Sequence, residues 1–338
     1  MDDLIGALAG SQVSFQPNST AAEHPRFAMY KPKSNTVNQE ARRKKFLEAQ
    51  KRKRFDYASH ARRLAFSKWD SSDETEEDNT EKENEDMDCE EFIPKPPRSY
   101  RNQLMLSEWL VEVPDDLEEQ WFLKLCPVGK RCLIVASKGI TKAYTKSGYN
   151  IMSFPSDLPG GNKVISSKPL HVYCFLDCIY NEVENTFYIL DIMCWNSHPC
   201  FDSETEFRFY WMQAKIGECT GLQEITENHQ YNFVPLPYYD CSKETIEKVL
   251  WSDLPFPSKL DGLLFYHKKS HYICGSTPLV GWLKAFMVPE MLGIEVPPAL
   301  CTEKPSSYVS MQQHVPEAFE KHSKRKEEEE KTMYYEDD

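Results

Sequence analysis

Apolar residues are unevenly spread along the 338-residue chain, and their spacing changes from zone to zone. Between Tyr100 and Leu300, short apolar runs alternate with Pro, Gly and Asn turns: Cys132–Ser137, Val172–Asp177, Thr186–Trp195 and Glu206–Met212. Such runs, bounded by turn residues, predict strands. Helices are expected at Leu104–Val111 and Ser242–Trp251. A third is expected at Pro278–Phe286, although Gly281 weighs against it. All the tryptophans except Trp69 fall in this zone, and about 200 residues suffice for one well-buried core. Residues 99–300 therefore read as a single α+β domain dominated by mostly antiparallel sheet, with no internal repeat.

The pattern before that domain is different. Gln39–Phe66 carries Arg42, Arg43, Lys44, Lys45, Lys51, Arg52, Lys53, Arg54, Arg62 and Arg63 against only Glu40, Glu48 and Asp56. No Pro or Gly interrupts it, and its Ala, Leu, Glu and Gln residues favour helix. Phe46, Phe55, Ala58, Ala61, Leu64 and Ala65 are too few for a core stripe, and like charges one turn apart oppose an isolated helix. The expectation is one long helix that forms on a large acidic partner. A solvated surface helix and a nonspecific RNA-binding arm are the competing readings. His24–Lys31, with Arg26, supplies an extended aromatic and basic lead-in. Residues 1–21 place Met1, Leu4, Leu8 and then Val13 or Phe15 as spaced hydrophobic anchors. They read either as a short export-type signal or as a frayed amphipathic turn. Residues 67–98 are dominated by Asp and Glu and should be a disordered linker. Residues 301–338 decay into Lys and Glu runs, as an exposed tail.

Net charge is -13, which argues against general affinity for nucleic acid, but the charge is segregated along the chain. No apolar run is long enough to span a bilayer, and the N-terminus lacks the basic start of a secretory signal. A cytosolic or nuclear protein is expected. The 11 cysteines form no CxxC pair, so reduced thiols are expected rather than disulfides. His267, His271 and Cys274 lack a fourth ligand at a recognised spacing, so neither metal nor cofactor is expected.

Five phrases carry a family resemblance: Asn102–Trp109, Cys126–Arg131, Ala143–Gly148, Phe207–Met212 and Gly275–Trp282. With the basic segment, they resemble the snurportins over about residues 1–300. Snurportins are adaptors that grip the trimethylguanosine cap of spliceosomal U snRNAs and snRNPs and present a basic helix to importin beta. Residues 22–66 are similar to an importin-beta-binding domain, with Arg26 and the ten cations above as contacts. The resemblance further implies a monomer that shuttles between nucleus and cytoplasm, is recycled by an exportin that reads Met1–Phe15, and touches no membrane.

A more distant resemblance is to the nucleotide-binding core of mRNA guanylyltransferases and ligases, whose K-x-D-G-x-R phrase supplies an attacking lysine. Here the phrase is Cys126-Pro127-Val128-Gly129-Lys130-Arg131. The nucleophile's position is a cysteine, which cannot form the lysine–phosphate linkage. A cleft stripped of catalysis is implied; an active nucleotidyltransferase is the alternative. A guanine methylated at N7 is cationic, so it favours an indole platform by roughly 1–3 kcal/mol. Trp282, beside Gly281, is the candidate platform, with an ordinary core tryptophan as the competing reading. Trp109 would wall the dimethylated amine. Main-chain groups at Leu106 and Ser107 would bond the other base edge, and Cys126 and Gly129 would line the pocket. Lys130, Arg131 and Lys146 are candidates for the triphosphate. Tyr210 and Trp211, on the Phe207–Met212 run with Arg208, read either as core strand or as a second pocket wall.

Overall fold

The computed structural model describes residues 38–66, 95–97, 99–163, 172–223, 225, 230–306 and 308–313. The anchors Met1, Leu4, Leu8, Val13 and Phe15, the lead-in with Arg26, nearly all of the acidic block and the tail beyond 313 lie outside them.

The basic stretch forms two helices rather than one, α1 (Gln39–Arg52) and α2 (Tyr57–Phe66). Lys53 is extended, and the Asp56 carboxylate accepts from the Ser59 amide at 2.9 Å. A capping aspartate offers the backbone an alternative to continuing the helix. Nor does this arm stand clear of the domain, as a helix awaiting a partner would. Gln39, Arg43, Phe46 and Gln50 are buried, three or four apart and so on one helix face. This stripe is mostly polar, and apolar periodicity could not reveal it.

Each polar member of the stripe meets the domain's main chain. Gln39 donates to the Trp109 carbonyl at 2.7 Å and accepts from the Glu112 amide at 3.1 Å. Arg43 Nη2 donates to the Glu112 carbonyl at 2.6 Å. Gln50 donates to the Lys269 carbonyl at 2.6 Å and accepts from the His271 amide at 3.0 Å. Partners of this kind make burial of polar groups tolerable. Ala61, Leu64 and Ala65 of α2 join the main core. Lys44, Lys45, Lys51, Arg52, Arg54, Arg62 and Arg63 are exposed and Lys53 is half-buried.

The domain runs β1 (Met105–Trp109), α3 (Leu117–Gln120), β2 (Trp121–Pro127), β3 (Lys130–Ser137), β4 (Ile140–Tyr144), β5 (Asn150–Phe154), β6 (Tyr173–Asn181), β7 (Thr186–Trp195), β8 (His198–Pro199), α4 (Thr205–Gly217), β9 (Asn232–Pro235), β10 (Tyr239–Asp240), α5 (Lys243–Leu250), β11 (Leu260–His267), β12 (Gly275–Leu283) and α6 (Val288–Leu292). The first sheet has the order β1-β12-β11-β2-β10 and the second β5-β4-β3-β6-β7-β8, with β9 also on β7. Pairing is antiparallel except for β1 with β12 and β9 with β7. One core cluster joins Phe122, Cys126 and Leu264 of the first sheet to Leu133, Val135, Phe175 and Leu190 of the second. On the second sheet's other face, Ile134, Leu176, Phe187 and Ile189 pack with Met212 and Ile216 of α4.

Three expected elements are corrected. Leu104–Val111 holds β1, not a helix: long-range pairing with β12 overrides the local preference of Leu, Met and Glu. Glu206–Met212 lies in α4, not a strand, and its buried positions Thr205, Arg208, Phe209, Met212 and Ile216 follow the helical period. Pro278–Phe286 is mainly the end of β12, followed by a 3-10 turn at Ala285–Met287. The helix expected at Ser242–Trp251 is α5, with Ser242 accepting from the Thr245 amide.

Candidate functional site

Cross-strand partners lie on the same side of a sheet, so register shows which residues share a face. Trp109 pairs with Trp282, Trp282 with Leu264, and Leu264 with Lys124. Two residues along β2, Cys126 pairs with Gly262. Trp109, Trp282 and Cys126 therefore share one face of the first sheet. Lys124 shows that this face is turned to the second sheet, since its Nζ donates to the Leu190 carbonyl of β7 at 2.6 Å. Two half-buried indoles thus stand side by side in the cleft between the sheets.

Glycine makes room for the platform, though not at the expected position. A Cβ on Gly262 would come within 2.6 Å of Trp282 Cη2, whereas one on Gly281 would meet Leu110 Cδ1 at 2.7 Å. Gly262 seats the indole; Gly281 admits Leu110. Lys284 Nζ lies 5.9 Å from the Trp282 ring centre and is ion-paired with Asp261. Gly262 and Lys284 fall in two further phrases that resemble the nucleotidyltransferases, Asp261–Phe265 and Val280–Lys284, but were not among the candidate site residues. The pairing of Gly262 with Cys126 and the nearness of Lys284 to Trp282 bring them to the site.

Cys126 is 1 % exposed, and burial pushes its thiol up to about 12. A thiol held protonated is not a nucleophile at neutral pH. Lys124 is fully buried beside it, and burial brings its amine down to about 7. That amine is engaged by Leu190 and sits 3.7 Å above the Phe209 ring.

The other candidates are distributed around the cleft. Leu106 and Ser107 are half-buried on β1, an edge strand whose register shifts after Ser107; an edge strand leaves main-chain groups unpaired on one side. Gly129 forms the β2–β3 turn, where a Cβ would come within 2.6 Å of the Tyr180 carbonyl. Lys130 is exposed, with Glu182 at 3.3 Å. Arg131 donates through Nε and Nη2 to Asp177 (3.0 and 2.8 Å) and through Nη2 to the Met105 carbonyl (2.6 Å). Lys146 is exposed in the β4–β5 turn, and its carbonyl accepts from the Asn102 amide at 2.9 Å. Tyr210 is exposed and Trp211 half-buried on α4, which packs chiefly on β7 and β9 rather than on the strands bearing Trp109 and Trp282. Arg208 is wholly interior, paired with Asp191 at 3.0 Å.

Among the described residues, no group of three or more His, Cys, Asp or Glu is placed to hold a metal. The arm docks against the cleft's wall strand, where Arg42 forks onto Glu108 and Gln39 holds the Trp109 carbonyl.

Residues 103–285 match the family model described as the Snurportin1 m3G cap-binding domain, so the two-sheet domain is of the cap-binding class. Residues 24–63 match a second Snurportin1 model. The first match alone spans more than half of the chain, and the chain belongs to the snurportin family of cap-binding import adaptors. Among solved structures, similar ones include the ligase domain of M. tuberculosis LigD (11% identity, 53% of this chain and 58% of that one, TM-score 0.34) and Lig E DNA ligases (11%, 53% and 67%, TM-score 0.35). At that level the likeness carries no argument about activity.

Proposed function

We propose that this chain binds the trimethylguanosine cap of U snRNAs and snRNPs without acting on it, and links them through its basic arm to importin beta. The observation that carries this reading is the Trp109–Trp282 pair in the cleft, beside a buried, protonated thiol at Cys126. A cationic purine stacks on Trp282 through dispersion and cation–π attraction, while Trp109 offers apolar contact to methyls that cannot donate hydrogen bonds. Lys130 and Lys146 attract the triphosphate from the exposed rim. The outward cations Lys44, Lys45, Lys51, Arg52, Arg54, Arg62 and Arg63 suit a large acidic partner. Met1–Phe15 would serve an exportin, giving a monomeric protein that shuttles between nucleus and cytoplasm.

Quenching of tryptophan fluorescence by a trimethylated cap dinucleotide tests the reading. Trp282→Ala should remove most of the affinity, and labelled GTP or ATP with a divalent metal should leave no covalent adduct. Equal affinity for unmethylated and trimethylated caps, or a stable protein–nucleotide adduct, would overturn it.

A further inference from the structure

The cap wall hangs on an edge strand. β1 is five residues long, pairs on one side only and loses register after Ser107. Such a strand is weakly specified by its sheet alone, yet Leu106, Ser107 and Trp109 are useful only if it is held to a fraction of an ångström.

One buried cluster, anchored on β3 and β6 of the opposite sheet and on the β11–β12 connection, does this. Asp177 of β6 and Tyr272, in the β11–β12 connection, are fully buried, as is Met105. The Met105 amide donates to the Tyr272 hydroxyl at 3.0 Å, and that hydroxyl donates to Asp177 at 2.7 Å. The Met105 carbonyl accepts from Arg131, which is itself forked onto Asp177. Both main-chain groups of the residue preceding Leu106 are thereby tied to one carboxylate, the amide through Tyr272 and the carbonyl through Arg131. A satisfied buried network of this kind admits a single arrangement.

We propose that Tyr272, Asp177 and Arg131 are positioning residues for cap recognition: they clamp Met105 and so set where Leu106, Ser107 and Trp109 meet the base. This rests on the cap-binding reading. It also changes the part given to Arg131, whose motif position suggested a phosphate contact.

Two substitutions in the full chain separate the roles. Tyr272→Phe keeps the ring and every charge but removes the hydroxyl. Its affinity for a trimethylated cap dinucleotide should fall about tenfold, the equivalent of one lost main-chain hydrogen bond. The loss should be smaller for the analogue methylated only at N7, and the dependence on ionic strength should not change. Asp177→Asn gives opposite signs: releasing Arg131 strengthens binding if Arg131 is simply a phosphate ligand, and weakens it if the clamp matters. Weaker binding and a narrowed preference between the two analogues support the inference. Unchanged or tighter binding in either variant, or equal losses for both analogues, overturns it while the cap-binding reading stands. Failure of the unsubstituted protein to distinguish the analogues removes that reading and the inference with it.

Discussion

Gly262 lies directly beneath the indole of Trp282, so near that a single added methyl would reach within 2.6 Å of the ring. The two residues sit on adjacent strands, and Gly262 is the cross-strand partner of Cys126. The six-membered ring of the indole, at Cζ2 and Cη2, thus rests against main chain at Gly262, a seat that only a residue without Cβ permits.

Gly262→Ala should therefore act on the ligand more than on the fold. Its backbone is not in the left-handed region, so alanine is sterically acceptable except for the ring. Displacing Trp282 should lower affinity for a trimethylated cap dinucleotide by about tenfold or more, since base stacking contributes roughly 1–3 kcal/mol. The circular dichroism spectrum should stay as it is. Retained affinity would mean that the platform lies elsewhere.

The docked arm can be loosened from the domain side without touching its basic residues. Glu108 receives the fork of Arg42, and the Glu112 carboxylate caps α1 by accepting from the Glu40 amide at 2.9 Å. A carboxylate there also complements the positive end of the helix. Glu108→Gln with Glu112→Gln should weaken docking by about 1–3 kcal/mol, read as faster trypsin cleavage at Lys51–Arg54. Those sites are mostly exposed already, so the change reports helix opening. Cleavage at the unaltered rate would show that the Gln39 and Gln50 contacts suffice.

Two histidines make the same interface sensitive to mild acid. Gln103 uses its amide nitrogen to donate to the Pro97 and Ser99 carbonyls, so its oxygen accepts from His60 Nε2 at 3.1 Å. His60 Nδ1 has no partner. Burial takes His60 and His267 down to about 4, against about 6.5 in the unfolded chain. Between those values the unfolded chain binds more protons, so stability is complete above pH 6.5 and is lost as pH falls toward 4. Each histidine contributes a slope of at most about 1.4 kcal/mol per pH unit. Urea midpoints at pH 7.5, 6 and 5 should fall in that order, and His60→Gln should flatten the decline. A flat wild-type profile would contradict this.

Some of this structure was legible in the sequence because burial itself was. β3, β6 and β7 have both faces covered, so their apolar runs are nearly continuous and read as strands, and Ser242 announced α5. β1 was not legible. Leu104–Val111 has the local composition of a helix, and what makes it a strand is a partner far along the chain. α4 was hidden by its aromatics, although its buried positions kept the helical period. At the site, motif resemblance singled out Trp109, Cys126 and Trp282, and the register brings them to one face. Gly262 lay in a phrase that resembles the nucleotidyltransferases without a role being legible, and Asp177 and Tyr272 had no signal, because the importance of all three is a distance to residues on other strands. The arm's polar stripe escaped for a related reason: hydrogen bonds to main-chain carbonyls leave no pattern of hydrophobicity.

Lys124 is a buried amine two residues from Cys126, and its charge state decides what it costs the fold. Its one hydrogen-bond acceptor is the Leu190 carbonyl, and burial lowers its affinity for a proton. The unfolded lysine holds its proton to about pH 10.4, the folded one only to about 7. Unfolding between those values takes up a proton, so lysine at this position costs most at and below pH 7 and least above pH 10. Lys124→Met keeps the volume, removes the charge and leaves Leu190 one donor short. The lost bond costs about 1–3 kcal/mol, while relief of desolvation acts in the opposite direction. Lys124→Met should therefore match or exceed the wild-type unfolding free energy at pH 7 and fall below it as pH approaches 10. Should the variant be the less stable at pH 7 by several kcal/mol, the amine would be a needed cation, held charged by Asp191, and not a burden tolerated in the core.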